Sequence, residues 1–427
     1  MLRPTFPLQP SLWATTAVPA PPTVALTDNA QADVVVIGGG FCGLSTALHL
    51  AESGANVALL EAREIGFGAS GRNGGQVIPG LKFDPEDLMA KFGAADGERI
   101  ISFASQTADV VFELIAKHQL NVPHLRKGWV QGAHNTKTLK LAESRVRQWR
   151  DLGAPVRLLD QQQICDMLGT NIYLGGWIDE RAGAVQPLSY ARELARAAIS
   201  LGAKVFTDSP VTALSKQSTG WQVKTASGAM ITTDQVVICT NGYSEGLWPN
   251  LQKTVVDAVS YLVATEPLPD HLRSEIAAGG QVCSDARNLL VYFRQDHTGR
   301  FLIGGRGPYR EPKGEKDWAL LESIMLRMFP QLKGVPLDHR WCGRVAVTRD
   351  FLPHIHCPAP GMLIDIGCMG RGVGLQSSIG RAMARHITHP GTHALPFKPS
   401  AIEPLPMHAL RGLYVNAMIA WYRLKDL

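Results

Sequence analysis

The sequence predicts an α/β fold, in which a domain with a parallel sheet is joined to a second α+β domain built on an antiparallel sheet. Three observations predict this fold. The chain has 427 residues, which is more than one hydrophobic core usually supports. Near its beginning, a short apolar strand runs into a glycine-rich turn and a helix. Strand patterns, two of them joined by a hairpin turn, occupy residues 255–340.

The first strand and its turn carry a dinucleotide-binding motif. Residues 34–37 read VVVI, an apolar run that is typical of a strand buried on both faces. The glycines that follow stand in the G-x-G-x-x-G spacing, which permits a tight turn and lets a pyrophosphate approach the backbone. The next helix aims its N-terminal amides at the phosphates. The predicted contacts in this turn are Gly38, Gly40, Phe41, Cys42 and Gly43.

A second strand, residues 56–60, ends at an acid. Glu61 lies 18 residues beyond Gly43, close to the usual spacing of a carboxylate that binds ribose hydroxyls. Ala62 and Arg63 lie beside this predicted ribose site. Strand, glycines, helix, strand and acid occur in the order of a Rossmann-like domain, so this region predicts binding of the adenosine half of a dinucleotide. It does not distinguish a nicotinamide from a flavin.

Two further glycine loops favour a flavin. Residues 62–76 form a longer loop than a strand–helix connection needs, and its polar side chains offer donors to a pyrophosphate or a flavin edge. The alternative is a flexible surface loop. Residues 361–387 are read as a strand, a glycine loop and a helix whose N-terminus can face an electron-rich ring. The predicted flavin contacts are Ala69, Ser70, Arg72, Asn73, Gly74, Gly75 and Gln76 in the first loop, and Gly370, Arg371, Gly372, Val373 and Gly374 in the second.

The chain resembles the D-amino-acid-oxidase-like (DAO) superfamily of FAD-dependent amine oxidoreductases in Glu61 and in the motifs GGGFCGLS, GASGRNGGQ, CTNGYS, GRVAVTRDFLP and GCMGRGVGLQ. Within it, the chain is most similar to gamma-glutamylputrescine oxidoreductases, in SLWATTA and GFGASGRNGGQ. The resemblance implies a Rossmann-like FAD-binding domain and a second α+β substrate domain whose antiparallel sheet covers the flavin. Further FAD contacts are then expected at Val211, Thr240, Asn241, Gly242 and Arg344.

The resemblance also bears on how FAD is held. Some relatives similar to sarcosine oxidase link the flavin to a cysteine before a T-x-D segment. The matching position in this sequence is Gly343, with Cys342 beside it. We therefore expect noncovalent FAD.

The predicted domains are discontinuous in sequence. The proline residues Pro19, Pro21 and Pro22 favour an extended N-terminal arm on the surface. Aromatic and basic residues at the other terminus favour a tail helix. The predicted segments are 1–31 for the arm, 32–84, 156–254 and 341–395 for the FAD-binding domain, 85–155 and 255–340 for the substrate domain, and 396–427 for the tail helix.

The substrate side chains are expected on the strands of the second domain. Alternation along NLLVYFRQD places Tyr292 and Arg294 on one face. A buried arginine is costly unless it is paired, so Arg294 is expected to face a carboxylate or solvent. The alternative is an edge position for Arg294 and a core position for Tyr261. The predicted catalytic residues are Tyr261, Tyr292 and Arg294, with Arg306 and Arg349 as further candidates for binding a carboxylate.

The implied reaction is transfer of a hydride from a carbon beside an amine to flavin N5, followed by hydrolysis of the imine. The favoured substrate is an extended amine such as a gamma-glutamylated polyamine, and the electron acceptor is oxygen or a quinone. One alternative is a dehydrogenase of D-amino acids or secondary amino acids. A second is a noncatalytic flavoprotein that keeps FAD for structure, and a third is a nicotinamide-only enzyme.

Composition argues against other classes of function. The net charge is only +5, and the basic residues form no concentrated stripe, so no nucleic-acid partner is expected. The seven cysteines are scattered and odd in number, and the histidines lack a metal-ligand spacing, so neither a metal site nor a disulfide framework is expected. Free thiols favour a cytoplasmic location. No apolar run is long enough to span a bilayer, so membrane contact is expected to be peripheral at most.

Overall fold

The structure, a computed structural model, describes residues 8–426 of the chain. Residues 1–7 of the predicted arm lie outside this part, as does Leu427. No helix within residues 8–426 combines the length and the apolar character needed to cross a bilayer. The helices of the described part are α1 (Leu12–Thr16), α2 (Phe41–Glu52), α3 (Pro85–Ser105), α4 (Thr107–Lys117), α5 (Thr136–Asp151), α6 (Gln161–Leu168), α7 (Pro187–Ser200), α8 (Asp270–Arg273), α9 (Ala319–Met328), α10 (Gly372–Thr388) and α11 (Arg411–Lys425).

The strands of residues 8–426 form three sheets. Two have eight strands each and the third has three. The strands are β1 (Ala30–Ile37), β2 (Val57–Leu60), β3 (Gln76–Val77), β4 (His124–Leu125), β5 (Trp129–Ala133), β6 (Val156–Leu159), β7 (Gly175–Asp179), β8 (Gly183–Val185), β9 (Lys204–Phe206), β10 (Val211–Lys216), β11 (Trp221–Thr225), β12 (Met230–Ile238), β13 (Val255–Pro267), β14 (Val282–Asp285), β15 (Tyr292–Gln295), β16 (Arg300–Arg306), β17 (Leu337–Thr348), β18 (His354–His356) and β19 (Met362–Ile366).

The first sheet has a parallel core in the order β9-β2-β1-β12-β19. Val36 of β1 packs beneath the helices, whereas Val35 packs into the core on the opposite face. The strand is therefore buried on both faces, as its apolar run predicted. Helix α2 packs against α7 and α10, which brings its N-terminus to the carboxyl edge of this sheet. The predicted α/β fold is confirmed.

The second sheet has the order β17-β13-β16-β15-β14-β5-β7-β6, and all neighbours are antiparallel except β14 and β5. Strands β6 and β7 join it although they lie in segment 156–254, which was predicted to belong to the FAD-binding domain. Strand β17 joins it as well, although most of its residues lie in segment 341–395, which was also predicted to belong to the FAD-binding domain. The periodicity of a strand does not reveal which sheet the strand enters. These pairings favour counting β6, β7 and β17 with the substrate domain, and the domain boundaries stay a prediction.

Part of the predicted arm, the helix α1, packs into the core, whereas residues 17–29 form no helix and are mostly exposed or half-buried. Where an extended surface arm was expected, Ser11 accepts a hydrogen bond from the backbone of Ala14 and begins helix α1. Trp13 is fully buried, and its indole Nε1 donates to the carbonyl oxygen of Asn73 over 2.7 Å. Its ring meets the ring of Trp341 edge-on at 5.8 Å. The proline content indicated an extended surface chain. Burial of the large apolar side chains of Leu12 and Trp13 stabilises the packed helix instead.

Replacing Trp13 with alanine is expected to lower the free energy of unfolding by about 3–5 kcal/mol, because a fully buried indole leaves a large cavity. Trp421→Ala is the matched control, since Trp421 is 56% exposed on α11 and its loss should change stability by no more than about 0.5 kcal/mol. Urea denaturation of the purified variants measures both. Equal effects of the two substitutions would contradict the core position of Trp13.

Candidate active site

One large cavity lies between the carboxyl edge of the parallel sheet and a face of the second sheet. Its volume is about 1120 Å³, slightly above the range of about 300–1,000 Å³ that is typical of ligand sites. Its walls come from segments that are far apart in sequence, including the first glycine turn, the loop before β3, strand β15 and the N-terminus of α10. The cavity can therefore hold a large ligand against one wall and a smaller molecule against the other.

The first glycine turn requires glycine for steric reasons. Gly38 has φ +112°, and a Cβ there would lie 2.9 Å from the carbonyl oxygen of Cys239. A Cβ on Gly43 would lie 2.0 Å from the carbonyl oxygen of Gly38, so only glycine lets α2 pack this closely on β1. The hydroxyl of Ser70 accepts from the backbone N–H of Phe41 over 3.0 Å. This turn places the N-terminus of α2 on the cavity wall, where it could bind a pyrophosphate.

Glu61 lies at the end of β2 and lines the same wall. Its carboxylate accepts hydrogen bonds from the backbone N–H groups of Gly39, at 2.6 Å, and Arg63, at 2.9 Å. Burial raises its pKa above the ordinary value, and these amide donors oppose the rise. The carboxylate is thus held in a fixed orientation, as binding a pair of ribose hydroxyls requires.

The loop at residues 69–76 is shaped by its own polar side chains. Asn73 donates to the carbonyl oxygens of Ala69 and Ser70, and its side-chain oxygen accepts from the backbone N–H of Gly75. Arg72 donates to the carbonyl oxygen of Phe67 over 2.8 Å. The side-chain amide of Asn73 therefore forms its hydrogen bonds within the loop, although the sequence predicted that it would donate to the cofactor.

The predicted cofactor residues line the cavity with three exceptions, Gly43, Gly75 and Gly374. A Cβ on Gly75 would lie 2.3 Å from the carbonyl oxygen of Val185, and one on Gly374 would lie 2.7 Å from that of Thr107. These three positions require glycine because the backbone packs closely there. Apart from Arg371, the remaining residues, including Val211, the 240–242 turn and Arg344, line a wall that could hold FAD. The guanidinium of Arg371 instead lies over the ring of Trp129.

The opposite wall, which we call the roof, belongs to the second sheet. It presents Ser260 and Leu262 from β13 and Tyr292 from β15. The hydroxyls of Tyr292 and Ser260 lie 2.9 Å apart and share a hydrogen bond. Burial raises the pKa of Tyr292 to about 12, so its phenol stays neutral near pH 7. The roof combines a neutral hydroxyl pair with an apolar surface.

Two predicted catalytic residues do not reach this cavity. Tyr261 is fully buried on the other face of β13, where its hydroxyl donates to the carbonyl oxygen of Arg310 over 2.8 Å. Arg294 is buried beneath the loop and donates to the carbonyl oxygens of Gly74, at 2.9 Å, and Val185, at 3.0 Å. Arg294 thus satisfies its charge with backbone oxygens, where a carboxylate or solvent was expected.

The two further arginine candidates lie elsewhere. Arg306 is half-buried at the end of β16 and Arg349 is exposed after β17, and neither lines the cavity. Sequence reasoning missed Lys82, Trp129 and Gln131, which do. Alternation along β5 places Trp129 and Gln131 on one face, but no signal distinguishes Lys82 from an ordinary surface lysine.

The chain matches one protein-family model. The model is described as "DAO: FAD dependent oxidoreductase", and the match covers residues 33–386. It thus extends from β1 into α10 and includes the lining of the cavity except at residues 25–27.

Curated relatives match over most of their length. The "Probable oxidoreductase OrdL" of Haemophilus influenzae is 33% identical to this chain, over 85% of this chain and 84% of the relative. The "Gamma-glutamylputrescine oxidoreductase" of Escherichia coli K12 is 30% identical, over 97% of this chain and 98% of the relative.

Solved structures share the fold at lower identity. The glycine oxidase of Geobacillus kaustophilus superposes with a TM-score of 0.72 and 20% identity, covering 86% of this chain and 97% of that one. The L-proline dehydrogenase of P. horikoshii superposes with a TM-score of 0.71 and 20% identity, covering 87% of this chain and 96% of that one.

Replacing Glu61 with glutamine is expected to raise the dissociation constant for FAD about tenfold or more. The substitution removes the negative charge from a fixed acceptor, and hydrogen bonds to charged groups contribute about 1.5–3 kcal/mol. Titration of the cofactor-free protein with FAD, followed by flavin fluorescence, measures the constant. Glu64→Gln is the control, because Glu64 lies three residues away, ion-pairs with Arg192 and does not line the cavity. An unchanged constant in Glu61→Gln would rule out this role.

Proposed function

Because the chain belongs to the DAO family of FAD-dependent oxidoreductases, we propose that it oxidises the C–N bond of an amine or amino acid. The favoured substrate is an extended amine such as a gamma-glutamylated polyamine. One structural observation carries the proposal: the wall that could hold FAD faces the roof across one continuous cavity. A substrate carbon placed under Tyr292 and Leu262 would lie against the bound cofactor.

The family match confirms the resemblance that the motifs predicted, and with it the FAD cofactor. The substrate class rests on different support. The relative that is 30% identical over nearly the whole chain is a gamma-glutamylputrescine oxidoreductase. A further relative, 24% identical over 82% of this chain, is a glycine oxidase. The first relative covers more of the chain at higher identity, which favours the extended amine over a small amino acid.

When bound, FAD accepts a hydride at N5 from the carbon beside the substrate nitrogen. The side chains of this protein bind and orient the reacting molecules. Glu61 and the N-terminus of α2 bind the adenosine half, and the phenol of Tyr292 keeps its proton and orients a polar substrate atom. Leu262 and Leu290 exclude water from the reacting carbon. No strong base is needed, because a neutral amine can lose a hydride without one.

We infer that FAD is held noncovalently. Gly343, the position at which some relatives carry the linking cysteine, lines the cavity and offers no nucleophile. The neighbouring Cys342 is buried in the core of the second domain, and its sulfur contacts Gln9 at 3.6 Å. Acid precipitation should therefore release the flavin into solution.

Oxygen and a quinone stay alternative acceptors, and a cytoplasmic location stays a prediction from the cysteine composition.

The proposed function is tested by an anaerobic visible spectrum of the FAD-loaded protein during titration with amines and amino acids. We expect gamma-glutamylputrescine to bleach the flavin band, and readmission of air then separates an oxidase from a dehydrogenase. Bleaching by free D-amino acids or secondary amino acids alone would favour the alternative dehydrogenase. A flavin band that none of these compounds bleaches would favour a noncatalytic flavoprotein.

Tyr292→Phe is expected to lower kcat/KM for the bleaching substrate about 5- to 10-fold, because the proposed hydrogen bond between its phenol and a polar substrate atom, worth about 1–1.5 kcal/mol, is lost. FAD affinity should not change. Tyr261→Phe is the matched control, since that phenol lies on the opposite face of the sheet and its loss should affect stability alone. A larger kinetic effect from Tyr261→Phe would contradict the assignment of the two faces.

A further inference from the structure

Lys82 has an unusual position for a lysine. It lies in the loop between β3 and α3, and its exposed side chain lines the cavity. Desolvation of the ammonium group by the surrounding protein, together with the smaller effects of the charges of Arg371 and Arg145, lowers the pKa of Lys82 to about 8. The thiol of Cys368 opposes this effect. Lys82 therefore extends into an enclosed space, where a lysine charge is costly.

Arg371 reaches the same end of the cavity. It is the residue before α10, and its guanidinium lies 5.0 Å from the centre of the Trp129 ring. One nitrogen donates to the carbonyl oxygen of Pro79 over 2.6 Å. Burial and, to a smaller extent, the charge of Arg145 lower the pKa of Arg371 to about 10, so its guanidinium stays charged at neutral pH.

The two acids whose charges act on Arg371, Asp84 and Asp179, already have other partners. Asp84 accepts from Arg145 over 2.7 Å, and Asp179 accepts from Arg181 over 2.6 Å. Within residues 8–426, neither Lys82 nor Arg371 forms an ion pair with a carboxylate within 4.0 Å. The protein thus places two positive charges at one end of the cavity. The neighbouring acids pair with Arg145 and Arg181 and not with these two cations.

We propose that Lys82 and Arg371 form a carboxylate-binding site that selects amines carrying an anionic group at the end remote from the reacting nitrogen. This inference rests on the proposed function and adds a reason for its substrate class. A carboxylate would receive charge-assisted hydrogen bonds from two neighbouring cations. A free diamine would instead bring a second positive charge to this end, and like charges in a desolvated site repel each other. The site therefore admits an acylated polyamine with a carboxylate and rejects the free polyamine.

Isothermal titration of the FAD-loaded full-length protein tests the site without turnover. The probes are hexanoate and hexanamide, which match in size and differ in charge. We expect hexanoate to bind at least tenfold more tightly than hexanamide, and Lys82→Met to remove most of this difference. Lys82→Arg should keep it, because the charge is retained. Lys140→Met is the surface control, since Lys140 is exposed on α5, and it should bind both probes as the parent protein does.

The pH dependence gives a second readout on the unmodified protein. Lys82 is charged below its pKa and neutral above it, so hexanoate affinity should fall as the pH rises through about 8. In Lys82→Arg the fall should disappear from this range, because an arginine keeps its charge. This readout also decides the question if Lys82→Met fails to fold.

Each outcome bears on one proposal. Equal binding of hexanoate and hexanamide by the parent protein overturns the carboxylate site, whether or not an amine bleaches the flavin. Selective hexanoate binding without bleaching by any amine keeps the site and counts against amine oxidation. A Lys82→Met protein that loses FAD but keeps hexanoate selectivity would make Lys82 a cofactor contact and overturn the inference. Where amines do bleach the flavin, Lys82→Met should narrow the preference for gamma-glutamylputrescine over putrescine about tenfold.

Discussion

The buried guanidinium of Arg294 joins three parts of the chain that are distant in sequence. It donates to the carbonyl oxygens of Gly74 and Val185 and lies 5.2 Å from the centre of the Trp13 ring. A guanidinium without acceptors is costly in a protein interior, so these carbonyl groups must stay in place while the core is intact. The loop on the cofactor wall, the strand β15 of the roof and helix α1 therefore depend on one another.

The two ends of the cavity differ in how their charges are balanced. At the end that could bind the ribose, the carboxylate of Glu61 is surrounded by backbone N–H groups. At the other end, Lys82 adjoins Arg371, and the acids near Arg371 already pair with other arginines. Charged groups determine selectivity where they are desolvated and held in fixed positions, because the wrong ligand then leaves them unpaired. The first end suits a constant cofactor, and the second suits discrimination between substrates.

The glycines illustrate how far a motif can be interpreted. Gly43 needs its identity because α2 packs on the carbonyl oxygen of Gly38, and Gly38 adopts the positive φ of the same turn, so the spacing alone predicted both roles. The carbonyl oxygen of Cys239, from a remote strand, also crowds Gly38. Gly75 and Gly374 need theirs because Val185 and Thr107 approach from remote segments. Contact with a ligand and contact with a distant backbone both select glycine. The sequence therefore could not separate the two causes, and both residues were predicted to touch the cofactor.

The sequence by itself determined the parallel sheet, the first glycine turn and the acid at Glu61, because each depends on side chains close together along the chain. Only the tertiary structure decided that Tyr292 faces the cavity and Tyr261 does not. Alternation along a strand has two phases, and the pairing of distant strands selects which phase meets the ligand. The burial of Trp13 and the direction of Lys82 were likewise decided by remote segments that pack around them, since neither residue lies in a local pattern that distinguishes core, cavity and surface.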